Sequence, residues 1–102
     1  MEVKIVDDSV ERFLMSLEKE TLAKTLRMID LLEVFGRDLA MPHAKVVKGG
    51  MFELRIRGKQ EVRLFYIFHK NAVIVLHGFI KKGQKIPPRE LRIAQKKRLT
   101  LI

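Results

Sequence analysis

The chain has 102 residues, 47% of them apolar, with 21 Lys plus Arg against 12 Asp plus Glu and neither cysteine nor tryptophan. That length suits one domain, residues 1–102, and the apolar content is too high for intrinsic disorder, which needs low hydrophobicity together with high charge. The missing cysteine excludes disulfides, thiolate metal ligation and a cysteine nucleophile, and no stretch approaches the ~20 apolar residues of a membrane span. The start Met1-Glu2-Val3-Lys4 lacks a signal peptide's apolar core, so a reducing cytoplasm is the expected setting.

Val3 and Ile5, with Val6 at the margin, predict a short first strand. Asp8 with Glu11 three residues later reads as a capping box opening a helix. Val10, Phe13, Leu14 and Leu17 follow at i, i+3, i+4 and i+7 and form one apolar face. A second helix is predicted over Thr21 to Phe35, with Leu22, Leu26, Ile29 and Leu32 or Glu33 on successive turns and Gly36 at the left-handed C-terminal cap. The two make a hairpin joined near Glu18 to Glu20. After Pro42 the apolar period drops from about 3.6 residues to about 2, and the residue types shift to Val, Ile, Phe and Tyr. Strands are expected at Ala44 to Val47, Met51 to Arg57, Val62 to His69 and Ala72 to Ile80. Gly49-Gly50, Gly58-Lys59 and Lys70-Asn71 separate them, and turns this short force antiparallel neighbours. Pro87-Pro88 begins a last helix carrying Leu91, Ala94 and Arg98 or Leu99 on a weak apolar stripe. The expectation is an α+β fold in which an N-terminal strand and a two-helix hairpin pack on a mostly antiparallel sheet of four to five strands, with a C-terminal helix.

Charge is unevenly spread. Residues 1–41 carry 6 basic and 9 acidic side chains, whereas residues 42–102 carry 15 basic and 3 acidic. A region this basic points to nucleic acid, an anionic membrane surface or an acidic protein, and confinement to one region favours a polyanion binder. In the strand after Gly50, Phe52, Leu54 and Ile56 alternate with Glu53, Arg55 and Arg57, so one face enters the core and the other presents two guanidinium groups. With a Gly58-Lys59-Gln60 loop, Arg55 falls opposite Arg63 and Arg57 opposite Glu61. A two-residue loop would set Arg55 against Val62 instead. The first register places like charges across a sheet, which is tolerable with an anion or an acidic neighbour between them.

On the last strand, strict alternation would put Val73, Val75, His77, Phe79 and Lys81 on one face and Ile74, Leu76 and Ile80 on the other. Lys81-Lys82 leaves its end as a basic pair. Lys85, Arg89, Arg92, Lys96, Lys97 and Arg98 continue the positive field, either along a phosphate backbone or as the solvated face of the last helix. His43, His69 and His77 lack metal-ligand spacing and read as structural, although His77 lies near the basic pair and could exchange protons near neutral pH. Tyr66, in a hydrophobic strand, reads as core or half-core. No Gly-rich phosphate loop or nucleophile elbow occurs, which disfavours nucleotide hydrolysis and acyl transfer.

The strings Lys48-Gly49-Gly50-Met51-Phe52-Glu53-Leu54-Arg55-Ile56-Arg57, Val62-Arg63-Leu64-Phe65-Tyr66 and Leu76-His77-Gly78-Phe79-Ile80-Lys81-Lys82-Gly83-Gln84-Lys85 with Pro87 resemble the RelE/ParE toxin superfamily, and within it the HigB-type, phage-derived branch. The resemblance implies the toxin of a type II toxin–antitoxin pair, silenced by a small antitoxin that is often a helix-turn-helix protein. It further implies cleavage of messenger RNA on the ribosome with no metal or other cofactor and no membrane partner. Arg63 matches the family's phosphate-binding arginine, Arg55 and Arg57 match basic positions on the preceding strand, and Lys81-Lys82 match the terminal basic pair. The catalytic candidates are therefore Arg63, Arg55, Lys82 and His77, and the phosphate- or RNA-binding candidates are Arg57, Lys81, Lys85 and Arg89. Two departures stand out. Some relatives carry a tyrosine or histidine near the C-terminus, and neither follows Lys82 here. Glu53 occupies a position that is basic in some of them. His77, Glu53 or a lysine would then supply the acid or base. ParE-type relatives inhibit DNA gyrase instead, and a basic nucleic-acid-binding module without toxicity is a third reading.

Overall fold

A computed structural model describes residues 1–101. Lys70 and Asn71 both take positive φ, 49° and 62°, as the central pair of a type I′ turn does, and this twist folds β4 (Val62–His69) back onto β5 (Ala72–Ile80). β3 (Phe52–Ile56) pairs antiparallel with β4, and the short β2 (Ala44–Val46) pairs antiparallel with β3. The first strand, β1 (Glu2–Ile5), crosses to the far side and lies parallel to β5. The sheet order is β1-β5-β4-β3-β2. Helices α1 (Asp8–Met15), α2 (Lys19–Phe35) and α3 (Pro88–Leu99) complete the predicted order and give the α+β architecture read from the sequence. Among the described residues the sheet has five strands. No helix among the described residues is long and apolar enough to cross a membrane.

Two cores form, one on each face of the sheet. Val10, Leu17 and Leu32 of the α1–α2 layer bury against Leu54, Ile56, Val62, Leu64, Tyr66, Val73 and Val75. Ala94 of α3 buries against Met51, Phe65, Ile67, Ile74, Leu76 and Phe79 on the opposite face. Tyr66 is a core residue as expected, and burial pushes its phenol up to about 12.

The strand alternation expected for β5 does not hold. Phe65 pairs with His77 but Tyr66 pairs with Val75, so Leu76 is an extra residue in a bulge. Val73 and Val75 therefore face the α1–α2 layer, whereas His77 and Phe79 face the α3 side together with Ile74 and Leu76. The bulge resets the odd–even order midway along the strand.

Smaller corrections have local causes. The α1 N-cap is Asp7 rather than Asp8: Asp7 is extended, at φ −162°, and its carboxylate accepts from the Ser9 N–H at 3.0 Å. Hydrogen bonding by Ser9, then Lys97, lowers the Asp7 pKa against the opposing effect of burial. α2 starts at Lys19, two residues before Thr21, and its inward face runs through Thr21, Thr25 and Leu32, leaving Leu26 47% exposed. Thr25 fits there because its hydroxyl donates to the Thr21 carbonyl at 2.9 Å. Gly36 does cap α2 with a positive φ, +51°, but its ψ of −121° lies outside the left-handed helical cap expected from the sequence. On α3 the stripe turns inward at Arg98, which donates to the Gly49 carbonyl, while Leu99 stays 67% exposed. Lys97 pairs with Asp7 at 3.3 Å, so the Lys97–Arg98 segment ties α3 to two distant loops.

Candidate functional site

The β3–β4 connection takes the three-residue-loop register. Arg55 pairs with Arg63 across the strands, and Arg57 meets Glu61 at 2.8 Å. The acidic neighbour that makes this register tolerable is Glu53. Two residues before Arg55 on β3, it shares the same face, and one of its oxygens, Oε1, lies 3.7 Å from Arg55 Nε and 3.9 Å from Arg63 Nε. Glu53 and Arg63 are both 2% exposed. The other Glu53 oxygen, Oε2, and the Nε atoms of Arg55 and Arg63 have no hydrogen-bond partner. A buried polar set left incomplete in this way is the kind of place where a ligand completes the bonding.

Arg63 is restrained on its remaining sides. Its Nη1 donates to the Val62 carbonyl at 2.9 Å and its Nη2 to Glu61 Oε1 at 3.2 Å. Glu61 closes the hairpin from the other end, accepting the Gly58 N–H on Oε2 at 2.9 Å. That bond, with Arg63 and Arg57 alongside, holds the Glu61 carboxyl below its ordinary range. The Glu61 carbonyl in turn accepts the Lys81 N–H at 2.7 Å, which brings the end of β5 beside the hairpin.

The result is an open cleft of about 560 Å³ lined by Arg55, Arg57, Glu61, Arg63, Lys81, Lys82, Gly83 and Gln84. Five cations thus converge there on two carboxylates, Glu61 and the underlying Glu53. Accessibility is graded. Arg57 and Lys82 are exposed, Arg55 and Lys81 are half-buried, and Arg63 is buried behind them. Arginine forks and lysine ammonium groups arranged around one concavity fit the oxygens of a phosphate, the forks bidentately and the lysines as point charges.

The cleft gathers Arg55, Arg57, Arg63, Lys81 and Lys82 of the sequence candidates, while His77, Lys85 and Arg89 are not among its lining residues. His77 stacks on Phe79 at 6.0 Å between ring centroids, and its Nε2 lies 2.6 Å from Glu90 Oε1 in the first turn of α3. The histidine therefore fastens α3 to β5. His43 is exposed and His69 half-buried, and among the described residues no three His, Asp or Glu side chains group as ligands for a metal ion.

Sequence reasoning missed the burial of Arg63 and the central place of Glu53. The spacing Glu53, Arg55, Arg57 on one strand face was the available signal. The Glu90 partner of His77 carried none, because it depends on where α3 crosses the sheet.

Residues 12–99 match the family described as Phage derived protein Gp49-like (DUF891). No curated protein matches the chain significantly.

Proposed function

The chain belongs to the Gp49-like phage-derived family, a toxin-like family related to RelE/ParE, and from that premise we propose that it is the toxin of a toxin–antitoxin pair that cuts RNA in the arginine–lysine cleft. The carrying observation is the convergence of Arg55, Arg57, Arg63, Lys81 and Lys82 on one open concavity. In this reading the ribose 2′-oxygen bonds to the adjacent phosphorus as the bond from phosphorus to the 5′-oxygen breaks. The 2′-hydroxyl loses its proton, the departing oxygen gains one, and the products are a cyclic phosphate and a 5′-hydroxyl end. Negative charge on the phosphoryl oxygens grows in the transition state, and cations already fixed in place stabilise it without reorganising.

Arg57 and Lys82, the exposed cations, meet the phosphate first. Arg55 follows from the half-buried tier, and Arg63 adds its field from behind while anchoring Glu61. The ribosome presents the RNA strand, and an antitoxin with an acidic segment covers the same cleft, because a basic surface this dense needs compensating charge when buried.

The test is primer extension on transcripts after brief induction, with purified protein acting on translating ribosomes in parallel. Lys82→Ala and Arg57→Ala should each lower cleavage about 100-fold. Both residues are exposed, so unfolding temperatures should fall by no more than about 4–8 °C, since a surface ion pair such as Arg57–Glu61 contributes at most about 1 kcal/mol. Growth arrest with intact transcripts would overturn the nuclease and favour a gyrase-type inhibitor. Unimpaired growth would overturn the toxin reading itself.

A further inference from the structure

A second concavity adjoins the cationic cleft. β2 runs out at Ala44, which pairs with Leu54, and only the His43 carbonyl continues the edge by accepting the Arg55 N–H at 2.8 Å. Beyond that point the end of β3 is flanked by α2 and the Pro42–His43 turn rather than by another strand. Between them lies a groove of about 380 Å³ floored by Met28, Leu31 and Ile56. Its rim is cationic, with Lys24 and Arg27 from α2, and no carboxylate lines it.

Two features decide what the groove suits. An aliphatic floor offers nothing to a bare phosphate or a hydrated metal ion, which need polar groups at the bottom of the site. It does suit a flat ring whose faces are apolar and whose edges are polar. The second feature is shared walls: Arg55 and Arg57 line this groove and the cationic cleft alike. Arg55 spans the two, its Nε beside Glu53 and its Nη1 donating to Met41 Sδ at 3.7 Å. A ligand with its anion in the cleft thus has its next chemical group at the mouth of the groove.

We propose that the groove is a nucleobase subsite, receiving one unstacked base of the single-stranded RNA whose neighbouring phosphate occupies the cleft. The base rests on Met28, Leu31 and Ile56, and the guanidinium of Arg55 or Arg57 packs against its exposed face, as arginine planes do in single-strand recognition. The inference rests on the RNA reading above and adds a place where base identity is sensed.

The experiment compares equilibrium binding, at low salt, of a six-nucleotide adenosine oligoribonucleotide and the same backbone lacking its bases. The unaltered protein should bind the base-bearing strand about tenfold more tightly. Leu31→Gln makes the floor polar with little change in volume and none in charge, and it should bring the two affinities together while circular dichroism stays unchanged. If that variant does not fold, the comparison on unaltered protein still decides. Equal affinities there, or discrimination that survives in a folded Leu31→Gln protein, would overturn the subsite and leave the groove to a protein segment, with the phosphate cleft still standing. Failure of both strands to bind would overturn the RNA reading along with it.

Discussion

Glu53 shows how one residue can shape a site without facing the solvent. Its carboxylate is the counter-charge for Arg55 and Arg63, yet Glu53 Oε2 and both Nε atoms stay unpartnered. The glutamate sets the two guanidinium groups side by side and leaves part of their bonding capacity open. Removing one partner of a buried ion pair leaves the others uncompensated, so Glu53→Gln should destabilise the protein by about 3 kcal/mol, read by urea unfolding. Inorganic phosphate should then raise the unfolding temperature of Glu53→Gln more than that of the parent, because it replaces the lost negative charge. Equal responses would show that the arginines are not what phosphate binds. Arg63→Ala is a poorer probe of chemistry, since it would strand Glu53 in the same way and mix unfolding with lost activity.

At the scale of elements, close approach and hairpin geometry position the cleft. α1 rests directly on β5, where a Cβ at Gly78 would come within 2.5 Å of the Phe13 ring and 2.8 Å of Leu64. Gly78→Ala should therefore cost about 1–3 kcal/mol through overpacking, measurable by denaturant unfolding. The β3–β4 hairpin depends on Glu61, whose pKa lies below its ordinary 4.5. A lowered carboxyl pKa stabilises the fold above the unfolded value and loses that contribution as pH falls through the folded one. The difference in unfolding temperature between the parent and Glu61→Gln should thus be greatest near neutrality and shrink below about pH 4.5; a gap independent of pH would refute the assignment. The hairpin register was legible only to within two alternatives, because the Glu53–Arg55–Arg57 alternation names a face but not the loop length, and the structure selects Arg55 opposite Arg63. The position of the β5 bulge was not legible, since Gly78 is a hint that places no residue and the extra residue is fixed by pairing with another strand. Leu26 misled for a related reason: helical period alone does not say which of two adjacent stripes the sheet covers, and Thr21 and Thr25 took the inward one.

For the whole molecule, the acidic residues 1–41 and the basic remainder interlock at a few points, among them Lys97 with Asp7 and Lys59 with Glu18. Most of the Lys and Arg side chains make no ion pair among the described residues. For single strands each neutralised phosphate contributes about −0.7 to the slope of log affinity against log salt. With Arg55, Arg57, Lys81 and Lys82 reachable from the cleft, binding of a short RNA should show a slope near −3, and Lys82→Ala should flatten it by about 0.7. A slope that Lys82→Ala leaves unchanged would move the contact elsewhere. The bulge on β5 bears on how such a chain can vary in length. Leu76 takes up a half-period in the pleat, so a chain lacking that one residue would still send Gly78 toward α1 and Lys81 toward the arginines. Leu76 is in that sense a slip joint, which lets the strand beneath the helices and the strand that ends in the lysine pair keep separate time.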